Sequence, residues 1–175
     1  MKKLTEKWLE KRGACADGIS WFKTCSKENP SEVMDALLAE KKLDWANWLI
    51  ARLLSPKDRV RYAIFAAEQV IDIFEKAHPN DKRPRKAIEA AKAVLKKNNK
   101  TARAAAWAAA GAAWAAAGAA GGAGDAAGAA WAAGDAAWAA WAAAWAARAA
   151  GDAAGPAMKE KIIRYGMGLC FGREA

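Results

Sequence analysis

The chain has 175 residues, a formal net charge of +9 and a hydrophobic fraction of 54%, much of it alanine. This length suits one domain, with or without an N-terminal extension, and the positive charge favours acidic partners: nucleic acid, an anionic protein face or a lipid headgroup layer. Cys15, Cys25 and Cys170 have no CxxC spacing and only His78 beside them, so the ligand supply argues against a zinc site; with no apolar leader after Met1, they read as free thiols in a cytoplasmic protein.

Thr5 can cap a first helix that carries Trp8 and Leu9 and stops near Gly13. A second helix is predicted over about 14–27, with Ile19, Trp21 and Phe22 as its apolar set. Asn29-Pro30 supplies a cap and a first-turn proline for a third, through Val33, Leu37 and Leu38. A fourth begins near Asp44 and holds Trp45, Trp48, Leu49, Arg52 and Leu53. It stops before Ser55-Pro56, because a residue preceding proline is pushed out of the α region. Val60, Ile64, Ala67, Ile71 and Phe74 are separated by 4, 3, 4 and 3 residues, which predicts one amphipathic helix over 57–77. After a turn at His78-Pro79-Asn80-Asp81, Pro84 starts a helix over 84–98. It turns Ile88, Ala91 and Leu95 inward and Arg85, Lys86, Lys92, Lys96 and Lys97 largely outward.

Alanine fills 34 of the 55 positions in 101–155, and six of the ten tryptophans stand there. Trp107 and Trp114 are seven apart, as are Trp131, Trp138 and Trp145, so each set forms one stripe on a helix. The glycines of 118–124 break the segment into a helical hairpin, and Asp125 can cap its second arm. A membrane span is disfavoured, because Ala104 to Gly124 lacks Leu, Ile, Val and Phe. A last helix carries Met158, Ile162, Ile163 and Tyr165, followed by Gly166 and Gly168. With no alternating strand pattern, the expected fold is an all-α multi-helix bundle with an Ala/Trp-rich helical hairpin.

The chemistry-bearing signals are few. Asp81-Lys82-Arg83-Pro84-Arg85 puts a charged cluster at a helix start, where it can bind an anion or a partner carboxylate. The same residues suit a helix cap and a structural ion pair. Asp125, Asp135 and Asp152 each follow a glycine and suit structural roles, since no histidine or second acid completes a ligand set. No GxGxxG, Walker, GxSxG or HExxH pattern occurs, so no catalytic residue, metal or cofactor is expected and the chain reads as non-enzymatic. Lys92, Lys96 and Lys97 are candidate phosphate contacts, and equally an ordinary solvated helix face.

Three stretches carry a resemblance: Asp44-Trp45-Ala46-Asn47-Trp48-Leu49, Asp81-Lys82-Arg83-Pro84-Arg85-Lys86-Ala87-Ile88, and Lys161-Ile162-Ile163-Arg164-Tyr165-Gly166, with the alanine array between the last two. Together they resemble the immunity-protein family with an Imm-5-like all-helical domain, found in bacterial toxin–immunity loci and in phages. The opening, Ala14-Cys15-Ala16-Asp17-Gly18 and Trp21-Phe22, is similar to openings of phage-encoded proteins. The resemblance implies an N-terminal helical segment, 1–43, and an Imm-5-like domain, 44–175. It places Asp81 and Arg83 at the family's motif positions. With Arg85 and Lys86 beside them, these form the expected contact for a protein target, a toxin or defence effector that is neutralised without catalysis. Immunity proteins that plug nuclease sites are often acidic, whereas this chain is basic. Its target therefore presents an acidic face, or the domain serves another use; a basic nucleic-acid-binding accessory protein is the alternative.

Overall fold

A computed structural model describes residues 3–97, 99–101, 103–104 and 155–172. The expected Ala/Trp hairpin, with its tryptophan stripes, its glycine break and Asp125, Asp135 and Asp152, lies outside the described residues, as does the stretch considered as a membrane span. Among the described residues the chain is all-α, without strands, and no helix is long and apolar enough to cross a membrane.

The helices are α1 (Glu6–Lys11), α2 (Ala16–Cys25), α3 (Pro30–Ala39), α4 (Leu43–Leu53), α5 (Pro56–Glu68), α6 (Ile71–Ala77), α7 (Arg83–Lys96) and α8 (Pro156–Phe171). Four of the eight starts carry a side-chain cap. Thr5 Oγ1 accepts from the Trp8 N–H, Asn29 Oδ1 from the Ser31 N–H, and Ser55 Oγ from the Asp58 N–H. Each satisfies a donor that the helix leaves unpaired. At α2 the cap is Cys15, whose Sγ lies 3.4 Å from the Gly18 nitrogen, and the helix ends where Ser26 turns left-handed.

The single helix expected over 57–77 is two. The chain breaks at Gln69 and Val70, where the Val70 N–H bonds back only three residues, to Ala67. Val70 leaves the helical region with φ −125° and ψ −7°. The Gln69 side chain is drawn away to the Phe65 carbonyl and to Lys161 of α8. Val60, Ile64, Ala67, Ile71 and Phe74 are nevertheless all buried, because the break preserves the phase of the apolar stripe.

The helices form a chain of neighbours: α1 packs on α2, α2 on α3, α3 on α4, α4 on α8, α8 on α5, and α5 on both α6 and α7. Leu4, Leu9, Phe22 and Met34, from before residue 43, share one buried cluster with Ile50, Tyr62, Ile88 and Ile163. The α4–α5–α8 junction is its tightest part. Tyr62 is fully buried and donates to Asn47 Oδ1 at 2.8 Å, which satisfies a hydroxyl that would otherwise be stranded. Phe65 stacks on Tyr165 with centroids 3.9 Å apart. Gly166 faces this junction, and a β-carbon there would lie 2.7 Å from the Tyr62 ring and 3.0 Å from Ile50. At the solvent edge, Lys159 donates to Asp44 at 2.6 Å and Glu160 pairs with Lys41 and Arg164.

Gly166→Ala gains helix propensity but forces the Tyr62 ring off its hydrogen bond. Overpacking of this kind costs about 1–3 kcal/mol, more than the propensity returns. A fall in the urea midpoint with an unchanged m-value is the expected result.

Candidate functional site

The charged motif at the start of α7 folds back on itself. Asp81 accepts the Arg83 backbone N–H at 3.0 Å and grips the Arg83 guanidinium with both carboxylate oxygens, the shortest contact being 2.6 Å. Hydrogen bonds from the Arg83 side chain, then from its backbone, pull the Asp81 carboxyl down to about 2. Arg85 reaches across to α6 and binds both oxygens of Glu75 at 2.6 Å, which lowers the Glu75 pKa and raises that of Arg85. Lys92 pairs with Glu68 of α5. Lys86, Lys96 and Lys97 are exposed. Of the expected contact residues, Asp81 and Arg83 are thus spent on a local pair and Arg85 on a pair that fastens α7 to α6, and of the expected phosphate contacts Lys92 is tied to an acid on α5.

A different concave face is built by α1, α2, α3 and α4. A pocket of about 390 Å³ opens there, within the size range of small-ligand and side-chain pockets. Leu9, Ala14, Phe22, Val33, Leu37 and Leu49 form its apolar lining; Trp21, Trp45 and Trp48 add aromatic walls, and Asn47, Asp44 and Arg52 supply polar atoms. Trp21 and Trp45 are held in a tilted pair, centroids 6.1 Å apart, and the Trp21 indole N–H donates to Glu40 at 2.8 Å. Each of the four tryptophans among the described residues, Trp8 included, is half-buried and none belongs to the fully buried core.

One end of this face carries three arginines. The Arg12 guanidinium stacks 4.1 Å over the Trp8 ring and that of Arg52 3.9 Å over Trp48. Arg52 donates to the carbonyls of Arg12 and Trp48, and Arg59 to those of Ala51 and Arg52. Burial, followed by the charges of Arg59 and Arg12, brings the Arg52 pKa down to about 10. Burial and then Arg12 lower Arg59 as well. Among the described residues none of the three has a carboxylate partner. Asp44, on the pocket lining, is paired with Lys159.

Sequence reasoning passed over Arg12 and Arg59 and treated Arg52 only as a helix position. The available signal was a repeated spacing: Trp8-Leu9 precedes Arg12, and Trp48-Leu49 precedes Arg52, by the same four-residue step that stacks a cation on a ring one turn away. Cys15, Cys25 and Cys170 are free thiols, and burial pushes Cys170 up to about 11. No protein-family model matches the chain, and no curated protein or solved structure matches it.

The Asp81 pair has a defined pH signature. A carboxylate whose folded pKa is depressed adds stability that is present above its ordinary value of 3.8 and is lost as pH falls through about 2. Carbon-detected NMR titration should find the Asp81 midpoint near the lower value, and Arg83→Gln should move it back toward the ordinary one.

Proposed function

We propose that the protein is a non-enzymatic binding protein that neutralises a macromolecular target, of the immunity or counter-defence type that its sequence resembles. The observation that carries this reading is the pair of stacked Trp–Arg units, Trp8–Arg12 and Trp48–Arg52, standing beside an aromatic pocket. Tryptophan and arginine dominate the energetically decisive positions of protein interfaces, because they bring large rigid area and several donors at modest entropic cost. The +9 charge supports a target with an acidic contact face. The contact therefore shifts from the Asp81–Lys86 motif, where pairing has consumed much of the charge, to the α1–α4 face.

A basic nucleic-acid-binding protein would use rings and arginines in a related way. The engagement of Arg85 and Lys92 with Glu75 and Glu68 weakens the α7 phosphate track that reading requires.

Affinity capture with the full chain from host lysate, run with and without nuclease, separates the two. The proposal expects one stoichiometric protein whose recovery survives nuclease and drops severalfold or more for Trp48→Ala. Recovery that disappears on nuclease treatment contradicts it.

A further inference from the structure

The arginine cluster has more positive charge than the fold needs. Arg59 caps the Ala51 and Arg52 carbonyls in the last turn of α4, and Arg52 ties the Arg12 carbonyl to that of Trp48, so both have structural duties. Arg12 has no such duty. Its guanidinium donates no hydrogen bond among the described residues, yet its charge bears on both neighbours. Arg52 uses Nε and one Nη1 hydrogen on the Arg12 and Trp48 carbonyls, which leaves its Nη2 hydrogens for a further acceptor. Two half-buried guanidiniums facing a third with no acid between them is an arrangement that an arriving anion relieves. Arg52 also lines the apolar pocket, so the anion seat and the pocket share a wall.

We infer that this face recognises a carboxylate set next to an apolar side chain on the partner's contact segment: the carboxylate sits against Arg12 and Arg52, and the side chain enters the pocket beside Trp45 and Trp48. The inference rests on the protein-binding reading above and specifies its chemistry. Fork-shaped guanidiniums match a carboxylate through paired N–H donors. The pocket accommodates one large side chain, and its tilted Trp21–Trp45 pair offers an aromatic ring an edge and a face. Asp44 does not repel the acid, because Lys159 holds it.

The test titrates the full, nitrogen-15-labelled chain with N-acetylphenylalanine, with its uncharged amide N-acetylphenylalaninamide, and with acetyl-Asp-Phe-amide. The two acids should move the indole N–H signals of Trp45 and Trp48 and bind about tenfold more tightly than the uncharged amide, as loss of a charge-assisted hydrogen bond implies. Arg12→Gln, at an exposed position, should reduce the acids to the level of the uncharged amide while leaving the urea midpoint in place. Equal binding of acid and amide, or no movement of the two indoles, overturns the inference. In the capture experiment, full recovery of the partner by Arg12→Gln overturns the inference and leaves the binding function standing. Selective binding of the acids with no protein partner recovered overturns the proposed function and, with it, the partner segment.

Discussion

The close approach of α8 to α4 and α5 at Gly166 is the constraint on which the rest of the arrangement hangs. No β-carbon fits there, since the Tyr62 ring and Ile50 already occupy the space. The Tyr62 ring has little freedom to yield, because its hydroxyl is tied to Asn47 in the buried interior. Backbone and ring therefore meet directly, and α8 becomes a clamp laid across two helices far earlier in the chain. Lys159 on Asp44 and Lys161 on Gln69 add polar contacts between α8 and those helices. With Ala46, Asn47 and Ile50 committed inward, α4 must carry Trp45, Trp48 and Arg52 on its remaining surface. The aromatic pocket is lined by that surface together with core residues of α1, α2 and α3.

Charge is divided between two kinds of work. On α6 and α7 part of it is paired, Arg83 with Asp81, Arg85 with Glu75 and Lys92 with Glu68, while Lys86, Lys96 and Lys97 are exposed. Such exposed pairs contribute little stability individually, but those of Arg85 and Lys92 join α7 to α6 and α5 and offset part of the positive field there. At the end of α4 the charge is left uncompensated. Arg12, Arg52 and Arg59 repel one another, and burial removes water from Arg52 and Arg59 while Arg12 stays exposed over the Trp8 ring. Discrimination between partners would come from that second region, since unpaired, partly desolvated cations are where an incoming anion gains most.

The helical class and most helix starts were legible from the sequence, because Thr5, Asn29-Pro30 and the 4-3-4-3 stripe of Val60 to Phe74 are local signals with local causes. The break at Val70 was not, since no glycine or proline marks it and the apolar stripe runs through it in phase. Gly166 could be read as a glycine near a helix end, but not as the point where two distant helices touch. The Asp81 motif was visible, and the ion pair between Asp81 and Arg83 is present, but the helix begins after Lys82 without a side-chain cap and Asp81 stands one residue further out; the hold of Glu75 on Arg85 required three dimensions. The arginine cluster escaped because Arg12, Arg52 and Arg59 come from three elements, although the repeated tryptophan–arginine spacing stood in plain view. The tryptophan-rich array drew attention by composition, while the rings that form the pocket are three of the four outside it.

The central claim is that the face formed by α1, α2 and α4 makes the contact, with α7 serving as scaffold. Hydrogen–deuterium exchange on the full chain, free and with its captured partner, tests this most directly. The account predicts slowed exchange over residues 8–15 and 45–52, with residues 83–97 unchanged. Protection confined to 83–97 would contradict it and return the contact to the charged motif of α7.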